Sequence, residues 1–307
     1  MESVVVASVC TLILFLFLQF VTFQASIGPE SPLSIGWFKS THEVISSKYP
    51  TPVTPAGYTF SIWGLIYLWN FAWIIYILTT LCRSNSRGPV YLNPPATTVM
   101  FLNSYMINNV ANILWLFLWD REYLTRSTLA LFLIALTIYV GLYISLTNVY
   151  QYLTDFKDYA ESDLWAYRVL VHNGLAIYAT WATAAALINL SVALIYEAML
   201  PSDVATYITL TTLAVIVIVY FVFELFVFDA YTRYVFMVYP TLIWALAGIM
   251  VANDDDTNSP VFVYSAILVS VCFIFFIVKT VLMIIRSPVY LIVKMTRVNS
   301  TTYKHIM

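Results

Sequence analysis

The chain has 307 residues, of which 61% are hydrophobic and 10% are charged, whereas about 25% of the residues in a soluble domain are charged. Its formal net charge is −2, which leaves no basic surface for nucleic acid, so we expect no nucleic-acid partner. The composition excludes an ordinary soluble domain and predicts that the lipid bilayer surrounds most of the chain.

Eight windows are apolar enough to cross a bilayer at about 20 residues per helix. They predict an all-α fold, a polytopic membrane helix bundle, with spans near 3–23, 57–81, 98–119, 127–149, 170–196, 205–228, 234–252 and 260–285. The first window is predicted to be a retained helix rather than a signal peptide, because no Lys or Arg precedes it and its apolar run is long.

The basic residues predict the orientation. With the N-terminus inside, the inner side holds eight of them, Arg83, Arg87, Lys157, Arg233, Arg286, Lys294, Arg297 and Lys304, and the outer side holds four, Lys39, Lys48, Arg121 and Arg126. The positive-inside rule then places both termini in the cytoplasm. The sequon at 299–301 would face the cytoplasm and stay unglycosylated. The plasma membrane and internal membranes both remain open.

Three spans carry stripes in which aromatic side chains alternate with asparagines at helical spacing. The stripes comprise Phe60, Trp63, Tyr67 and Asn70; Tyr105, Asn108, Asn112 and Trp115, with Asn109 beside them; and Tyr178, Trp181, Ala185 and Asn189. On one interpretation the asparagines tie helices together and the aromatics pack as core. On the other, the stripes line an apolar small-molecule site with a few converging polar groups.

Motifs in these stripes occur in order along the chain. The second span opens with PAGYTFSIWGLIY at 55–67, the third contains NILW at 112–115, and the fifth contains IYATW at 177–181, followed eight residues later by Asn189. In these motifs the chain resembles the translocator protein or tryptophan-rich sensory protein (TspO/MBR) family. It departs from the family pattern in three ways: Phe60 stands one residue nearer to Trp63, Ile177 replaces a proline, and three further spans follow.

The resemblance implies a five-helix core over 1–197 that binds a porphyrin-, haem-like or sterol-like molecule between its second, third and fifth helices. The matching positions are Trp63, Tyr67, Asn112, Trp115, Tyr178, Trp181 and Asn189. The connection 24–56, with its prolines, would correspond to the segment that closes the pocket in the family, or would be an ordinary outer connector. A homodimer stays open. Residues 198–286 are assigned to three additional helices and 287–307 to a cytoplasmic tail.

The last three spans contain the deeply placed ionisable residues Glu224 and Lys279. We expect them to pair, either to order the inner ends of two helices or as part of a proton or ion path. Tyr239-Pro240 predicts a kink in the seventh span. Arg168 and His172 are expected to contact lipid headgroups at the start of the fifth span.

The sequence leaves three functions open: a binding protein that senses or translocates a hydrophobic or planar aromatic molecule, a secondary transporter that uses Glu224 and Lys279, and a structural membrane subunit. The sequence lacks a Ser-His-Asp set, a phosphate-binding glycine loop and paired catalytic carboxylates. The three cysteines lack metal-ligand spacing. We therefore predict no catalytic residue, no metal site and no enzymatic activity.

Overall fold

The computed structural model describes the backbone of residues 2–304 and the side chains of residues 2–287. Of the predicted tail at 287–307, the side chains from 288 onward, including Lys294, Arg297, Lys304 and the sequon, lie outside the described residues. The described chain is mainly helical, and a short hairpin pairs β1 (Ser84–Asn85) with β2 (Gly88–Pro89).

Each of the eight predicted spans corresponds to a helix in the structure. The long helices are α1 (Glu2–Ile27), α3 (Ile62–Cys82), α4 (Val99–Asp120), α5 (Leu124–Gln151), α8 (Asn173–Tyr196), α9 (Ser202–Phe226), α11 (Val238–Val251) and α12 (Pro260–Lys304). Four short helices connect them, α2 (His42–Lys48), α6 (Leu153–Tyr159), α7 (Glu161–Ala166) and α10 (Asp229–Thr232). A 3₁₀ turn at Gly57–Ser61 leads into α3, and a second one, Val90–Leu92, precedes α4.

Six of the described helical stretches are long and apolar enough to cross a bilayer. The two other predicted spans, α11 and α4, are not among these six, for different reasons. Helix α11 has 14 residues, fewer than the roughly 20 that a bilayer requires. Helix α4 has 22 residues but carries several buried asparagines, which lower its hydropathy. It packs between α1 and α5, so protein surrounds those amides, and the bundle forms as predicted.

Helix α8 is the most enclosed element of the bundle because it contacts α3, α5, α9 and α11. Its buried small residues, Ala176, Ala179, Ala182 and Ala186, let these neighbours approach closely. A π-helical segment, Tyr167–His172, joins α7 to α8. The continuous helical stretch therefore begins at Glu161, nine residues before the predicted fifth span, and extends beyond the apolar window.

Asn173, directly after the π-helical segment, connects the first five long helices to the last three. Its Nδ2 donates to the backbone oxygens of Arg168 at 2.8 Å and Tyr234 at 2.9 Å. Its Oδ1 accepts from the backbone N–H groups of Phe236 at 2.9 Å and Met237 at 3.1 Å. The fully buried amide therefore uses all its hydrogen-bonding groups to hold the segment that leads into α11.

Two expectations about local structure are wrong. Helix α11 begins at Val238, so Pro240 lies in its first turn, where a missing N–H removes no helical hydrogen bond and causes no kink. His172 does not reach the membrane surface: it is 3% exposed, and its Nε2 lies 3.2 Å from Ser145 Oγ on α5. The π-helical turn carries this ring into the bundle.

Candidate functional site

Five aromatic side chains from α3, α4 and α8 meet in one group. This aromatic cluster consists of Trp63, Tyr67, Trp115, Tyr178 and Trp181. The Trp63 ring is central to it: it stacks on Tyr67 at 5.5 Å and on Trp115 at 6.2 Å, and meets Tyr178 at 5.9 Å and Trp181 at 6.3 Å edge to face. These centroid distances are those of favourable aromatic pairs. Trp63, Tyr67 and Trp115 are only half-buried, while Tyr178 and Trp181 are fully buried.

Asn112 supplies the amide of the aromatic cluster. Its Nδ2 donates to Tyr178 OH at 2.9 Å and lies 3.5 Å from Tyr67 OH. Three buried polar atoms at this place have no hydrogen-bond partner among the described residues: Asn112 Oδ1, Trp115 Nε1 and Trp181 Nε1. The cluster therefore offers two unused donors and one unused acceptor next to flat aromatic surface.

The connection that precedes the 3₁₀ turn folds over one end of the aromatic cluster. Thr41 caps α2 by accepting from Val44 N–H, and the half-buried His42 ring stacks on Trp115 with centroids 5.4 Å apart and planes 9° from parallel. Burial lowers the pKa of His42 to about 4, and the nearby Asp120 partly opposes this shift. His42 is therefore neutral at pH 7 and lies flat on the indole.

Hydrogen bonds to distant parts of the chain hold this connection in place. Asp120 Oδ1, at the end of α4, accepts from the backbone N–H groups of Lys39 at 2.8 Å and Ser40 at 3.0 Å. Glu122 accepts from Lys48 Nζ and Tyr49 OH, both at 2.5 Å; these two bonds lower the pKa of Glu122. The segment is thus fixed to the C-terminal end of α4.

The same connection is also bound to α8 and α11. Tyr196 OH donates to Pro50 O at 2.8 Å, and Asn253 Nδ2 donates to Pro52 O at 3.0 Å. Ala56 N–H donates to Gly248 O at 3.0 Å. Helix α11 and the turn after it therefore help to position the segment that lies over the aromatic cluster.

A family model described as TSPO-like protein matches residues 8–279. The chain belongs to this family. The match includes α9 and α11 and extends into α12 as far as Lys279, in addition to the first five long helices. Comparison with curated proteins and with solved structures gives no match.

Within this TSPO-like bundle the other predicted stripe residues serve different contacts. Asn108 Nδ2 donates to Ile134 O at 2.8 Å and Thr137 Oγ1 at 3.0 Å on α5. Asn70 Oδ1 accepts from Trp73 Nε1 at 2.7 Å within α3. Asn189 Nδ2 lies 3.5 Å from Ser127 Oγ on α5. These three asparagines make hydrogen bonds within a helix or between helices, which is the role that the packing interpretation of the stripes gives them.

The remaining stripe residues lie beside the aromatic cluster or within the core. The Phe60 ring is 38% exposed and meets Trp181 edge to face at 6.1 Å. Ala185 is partly buried against the core. Tyr105 is buried, and its ring lies 4.7 Å from Trp73. Part of the α3 stripe and part of the α4 stripe therefore belong to the aromatic cluster, and the rest of each stripe packs in the core.

Glu224 and Lys279 are in contact and are almost completely buried. Glu224 also accepts from Tyr239 OH at 2.7 Å and Tyr220 OH at 3.2 Å. Lys279 Nζ donates to Thr232 O at 2.9 Å. The pair connects α9, α11, α12 and the residue that ends α10, and its polar atoms have several partners.

The sequence did not identify His42 or Asp120 as parts of the site. Asp120 falls one residue beyond the third apolar window, and His42 lies in a connection without periodicity. The local sequence signal was a helix-capping Thr41 followed by Glu43, which together predict the start of a helix. This signal does not indicate which other helix the segment contacts.

Proposed function

We propose that the protein binds a hydrophobic, planar small molecule of the porphyrin or sterol kind at the aromatic cluster and acts as its sensor or translocator. The observation that carries the proposal is the set of unused polar atoms, Asn112 Oδ1, Trp115 Nε1 and Trp181 Nε1. Leaving a buried polar group unpaired costs about 1–3 kcal/mol. A ligand that pairs with these atoms recovers that cost.

The geometry of the rings favours a flat ligand. Trp63 is stacked nearly parallel on Tyr67 and on Trp115, with interplanar angles of 25° in both pairs. A planar molecule that enters this stack replaces ring–ring contacts with contacts of the same kind, so the aromatic surface stays covered. Its polar edge groups then meet the indole N–H groups and the amide oxygen.

The stacking of His42 on Trp115 supports a gating role for the outer segment. The connection has to move for a large ligand to enter from the outer side, and His42 contacts the same indole that the ligand would use. Lid movements of this kind control access in many binding sites. The bonds from Asp120 to Lys39 and Ser40 hold the closed arrangement.

The test is quenching of tryptophan fluorescence by a porphyrin in the detergent-purified protein. We expect saturable quenching at micromolar concentration in the wild type. The affinity should be at least about tenfold weaker when Trp181→Phe is combined with Asn112→Leu, because the double variant removes two hydrogen bonds to the ligand, each worth about 1 kcal/mol. Titration with a sterol before the porphyrin tests whether both classes compete for the same place.

The matched control is Trp165→Phe, which removes an indole on α7, outside the aromatic cluster. It should lower the fluorescence and leave the affinity unchanged. Quenching that never saturates, or that is equal in the wild type and the double variant, would assign the aromatic cluster to packing and favour a structural subunit with a dry core.

The buried pair of Glu224 and Lys279 supports secondary transport as the alternative, because ionisable groups within the membrane often mark ion or proton paths. This alternative predicts a pH-dependent flux of the ligand into proteoliposomes that Glu224→Gln abolishes. Normal flux in Glu224→Gln would exclude coupling through the pair. The many hydrogen bonds around both side chains favour a structural role for the pair.

A further inference from the structure

The helices at the aromatic cluster carry almost no charge. Helices α3 and α8 contain no Asp, Glu, Lys or Arg, and the neighbouring α1 contains only Glu2, at its first residue. Helix α4 contains only Asp120, at its last residue, and this carboxylate accepts from the backbone of the overlying connection. Along these four described helices, no lysine or arginine is present to neutralise an anion bound among the rings.

The segment over the aromatic cluster does not supply positive charge either. The connection between α1 and the 3₁₀ turn, taken with the turn at 120–122, has three cations and four carboxylates, a net charge of −1: Lys39, Lys48 and Arg121 against Glu30, Glu43, Asp120 and Glu122. Two of the cations are paired, Lys48 with Glu122 and Arg121 with Asp120. The ring that contacts the cluster, His42, is neutral at pH 7 because its pKa is about 4.

A polar group from three helices lies beside the stacked rings. Asn112 Nδ2 on α4 lies 3.5 Å from Tyr67 OH on α3, and Thr22 on α1 lies next to the same hydroxyl. Within the described chain, Thr22 Oγ1 and Asn112 Oδ1 are buried and have no hydrogen-bond partner. By contrast, the nearby Gln24 on α1 both donates to Leu33 O and accepts from Ile35 N–H. We call Thr22, Tyr67 and Asn112 the neutral polar group.

The chemistry of these atoms favours a particular kind of polar ligand group. Thr22 Oγ1 can donate or accept, whereas Asn112 Oδ1 can only accept and therefore requires a donor. A ligand hydroxyl or primary amide has a proton to donate to Asn112 Oδ1. An ionised carboxylate has none, and removing it from water without a cation costs far more than removing a neutral polar group whose hydrogen bonds are replaced.

We infer that the aromatic cluster selects uncharged ligands and bonds their hydroxyl or amide group at Thr22 Oγ1 and Asn112 Oδ1. This inference rests on the proposed binding function and narrows its ligand class. A sterol hydroxyl or a porphyrin with neutral side chains fits the neutral polar group, whereas ionised propionates are disfavoured. It also adds α1 to the three helices that the sequence stripes indicated.

The experiment compares two probes that differ in charge and have nearly the same shape, protoporphyrin with two ionised propionates and its primary diamide. Quenching of tryptophan fluorescence is titrated at neutral pH with the full chain in detergent. We expect the diamide to bind at least about tenfold more tightly than the diacid. The double variant Trp181→Phe with Asn112→Leu measures how much of the difference arises from uptake of the probes by the micelle, since that uptake is the same for both proteins.

Two changes at Thr22 test the role of α1. Thr22→Val keeps the shape of the side chain and removes its hydroxyl, so it should weaken binding of the diamide about fivefold, the effect of one hydrogen bond. Thr22→Lys places a cation in the neutral polar group and should improve binding of the diacid about fivefold or more, through a charge-assisted bond. Ser26→Lys is the matched control, because Ser26 lies one turn further along α1 and is exposed. It should leave the preference unchanged.

Equal affinities of the wild type for the two probes, or tighter binding of the diacid, would overturn this inference, while saturable quenching would still support the proposed function. If neither probe gives saturable quenching, the proposed function is wrong as well. An improvement in diacid binding that is as large in Ser26→Lys as in Thr22→Lys would remove Thr22 from the site. If Thr22→Lys fails to fold, the wild-type comparison and Thr22→Val decide.

Discussion

The region of α3, α4 and α8 and the region of α9, α11 and α12 place polar groups inside the membrane in opposite ways. The first uses neutral amides and indoles, and several of their atoms, such as Asn112 Oδ1 and Trp181 Nε1, have no partner within the described part of the chain. The second uses two full charges, Glu224 and Lys279, and surrounds them with hydrogen bonds. Buried polar atoms without a partner favour a ligand-binding site, whereas polar atoms with several partners favour a structural contact between helices.

The largest expected effect comes from breaking the charged pair. Lys279→Met or Glu224→Gln alone leaves one buried group without its partner and should lower the free energy of unfolding by about 3–5 kcal/mol. The double variant Glu224→Gln with Lys279→Met should recover most of this loss, because no charge then remains unpaired. Thermal unfolding in detergent measures all three.

The double variant serves as the control for the two single ones. If each single variant is as stable as the double variant, the ion pair does not stabilise the contact between these helices. The proposed difference between the two regions would then be wrong. In that case the transport alternative gains support.

The second largest loss of stability is expected at the contact between the two regions. A Cβ atom on Gly248 in α11 would lie 2.2 Å from Thr59 Oγ1, in the turn that leads into α3. Gly248→Ala should therefore cost about 1–3 kcal/mol through overpacking. Adding Thr59→Ala should restore stability, since Thr59 Oγ1 has no hydrogen-bond partner in the part of the chain that the structure describes. Thermal unfolding again reports the effect.

Gly64→Ala is the matched control for Gly248→Ala. Gly64 lies in α3, and a Cβ atom there would meet nothing within 4 Å. It should be neutral or slightly stabilising, because alanine favours helix more than glycine does. A Gly248→Ala variant that is as stable as Gly64→Ala would show that α11 does not pack tightly on this turn.

Two adjacent asparagines in α4 sharpen the comparison within the first region. Asn108 donates two hydrogen bonds to α5, so Asn108→Leu should cost about 1 kcal/mol at roughly 0.6 kcal/mol for each bond. Both polar atoms of the fully buried Asn109 lack a partner among the described residues. Asn109→Leu should therefore leave stability unchanged or raise it. Unfolding in detergent compares the two directly, and a loss in Asn109→Leu equal to that in Asn108→Leu would mean that Asn109 is bonded in the folded protein.

The helices could be predicted from the sequence because apolar windows and helical spacing are local properties. The stripes also placed Trp63, Asn112 and Trp181 on faces that meet, as the aromatic cluster shows. The same spacing could not separate Asn112 from Asn108. Four residues apart, they lie on nearly the same face, and only the positions of α5 and α8 decide that one bonds across to Thr137 and the other to Tyr178.

The segment over the aromatic cluster could not be predicted, for a related reason. Lys39 and Asp120 are 81 residues apart in the chain, and Pro52 and Asn253, which are also hydrogen-bonded, are 201 residues apart. No local pattern records such distances. Pro240 illustrates the opposite error: the residue type predicts a kink, but its effect depends on where the helix begins, and α11 begins only two residues earlier.

The smallest expected effect concerns the segment over the aromatic cluster. His42 has a pKa of about 4 when it is stacked on Trp115, compared with about 6.5 when free. The closed segment binds protons less readily than the open one, so closure loses stability as the pH falls below about 6.5, and the loss levels off below about 4. Since the ring is half-exposed, we expect about 1 kcal/mol, or roughly a fivefold increase in opening, at pH 5.

Hydrogen exchange at the Lys39 and Ser40 amides, which Asp120 protects, measures this opening. The wild type is compared with His42→Gln at each pH. Intrinsic exchange at Lys39 and Ser40 depends on pH in the same way in both proteins, so it cancels in the ratio of their exchange rates. The ratio of wild-type to variant exchange should rise as the pH is lowered from 7 to 5. A constant ratio would mean that His42 does not control the segment, and opening would then depend on the bonds that Asp120 and Glu122 make to the segment.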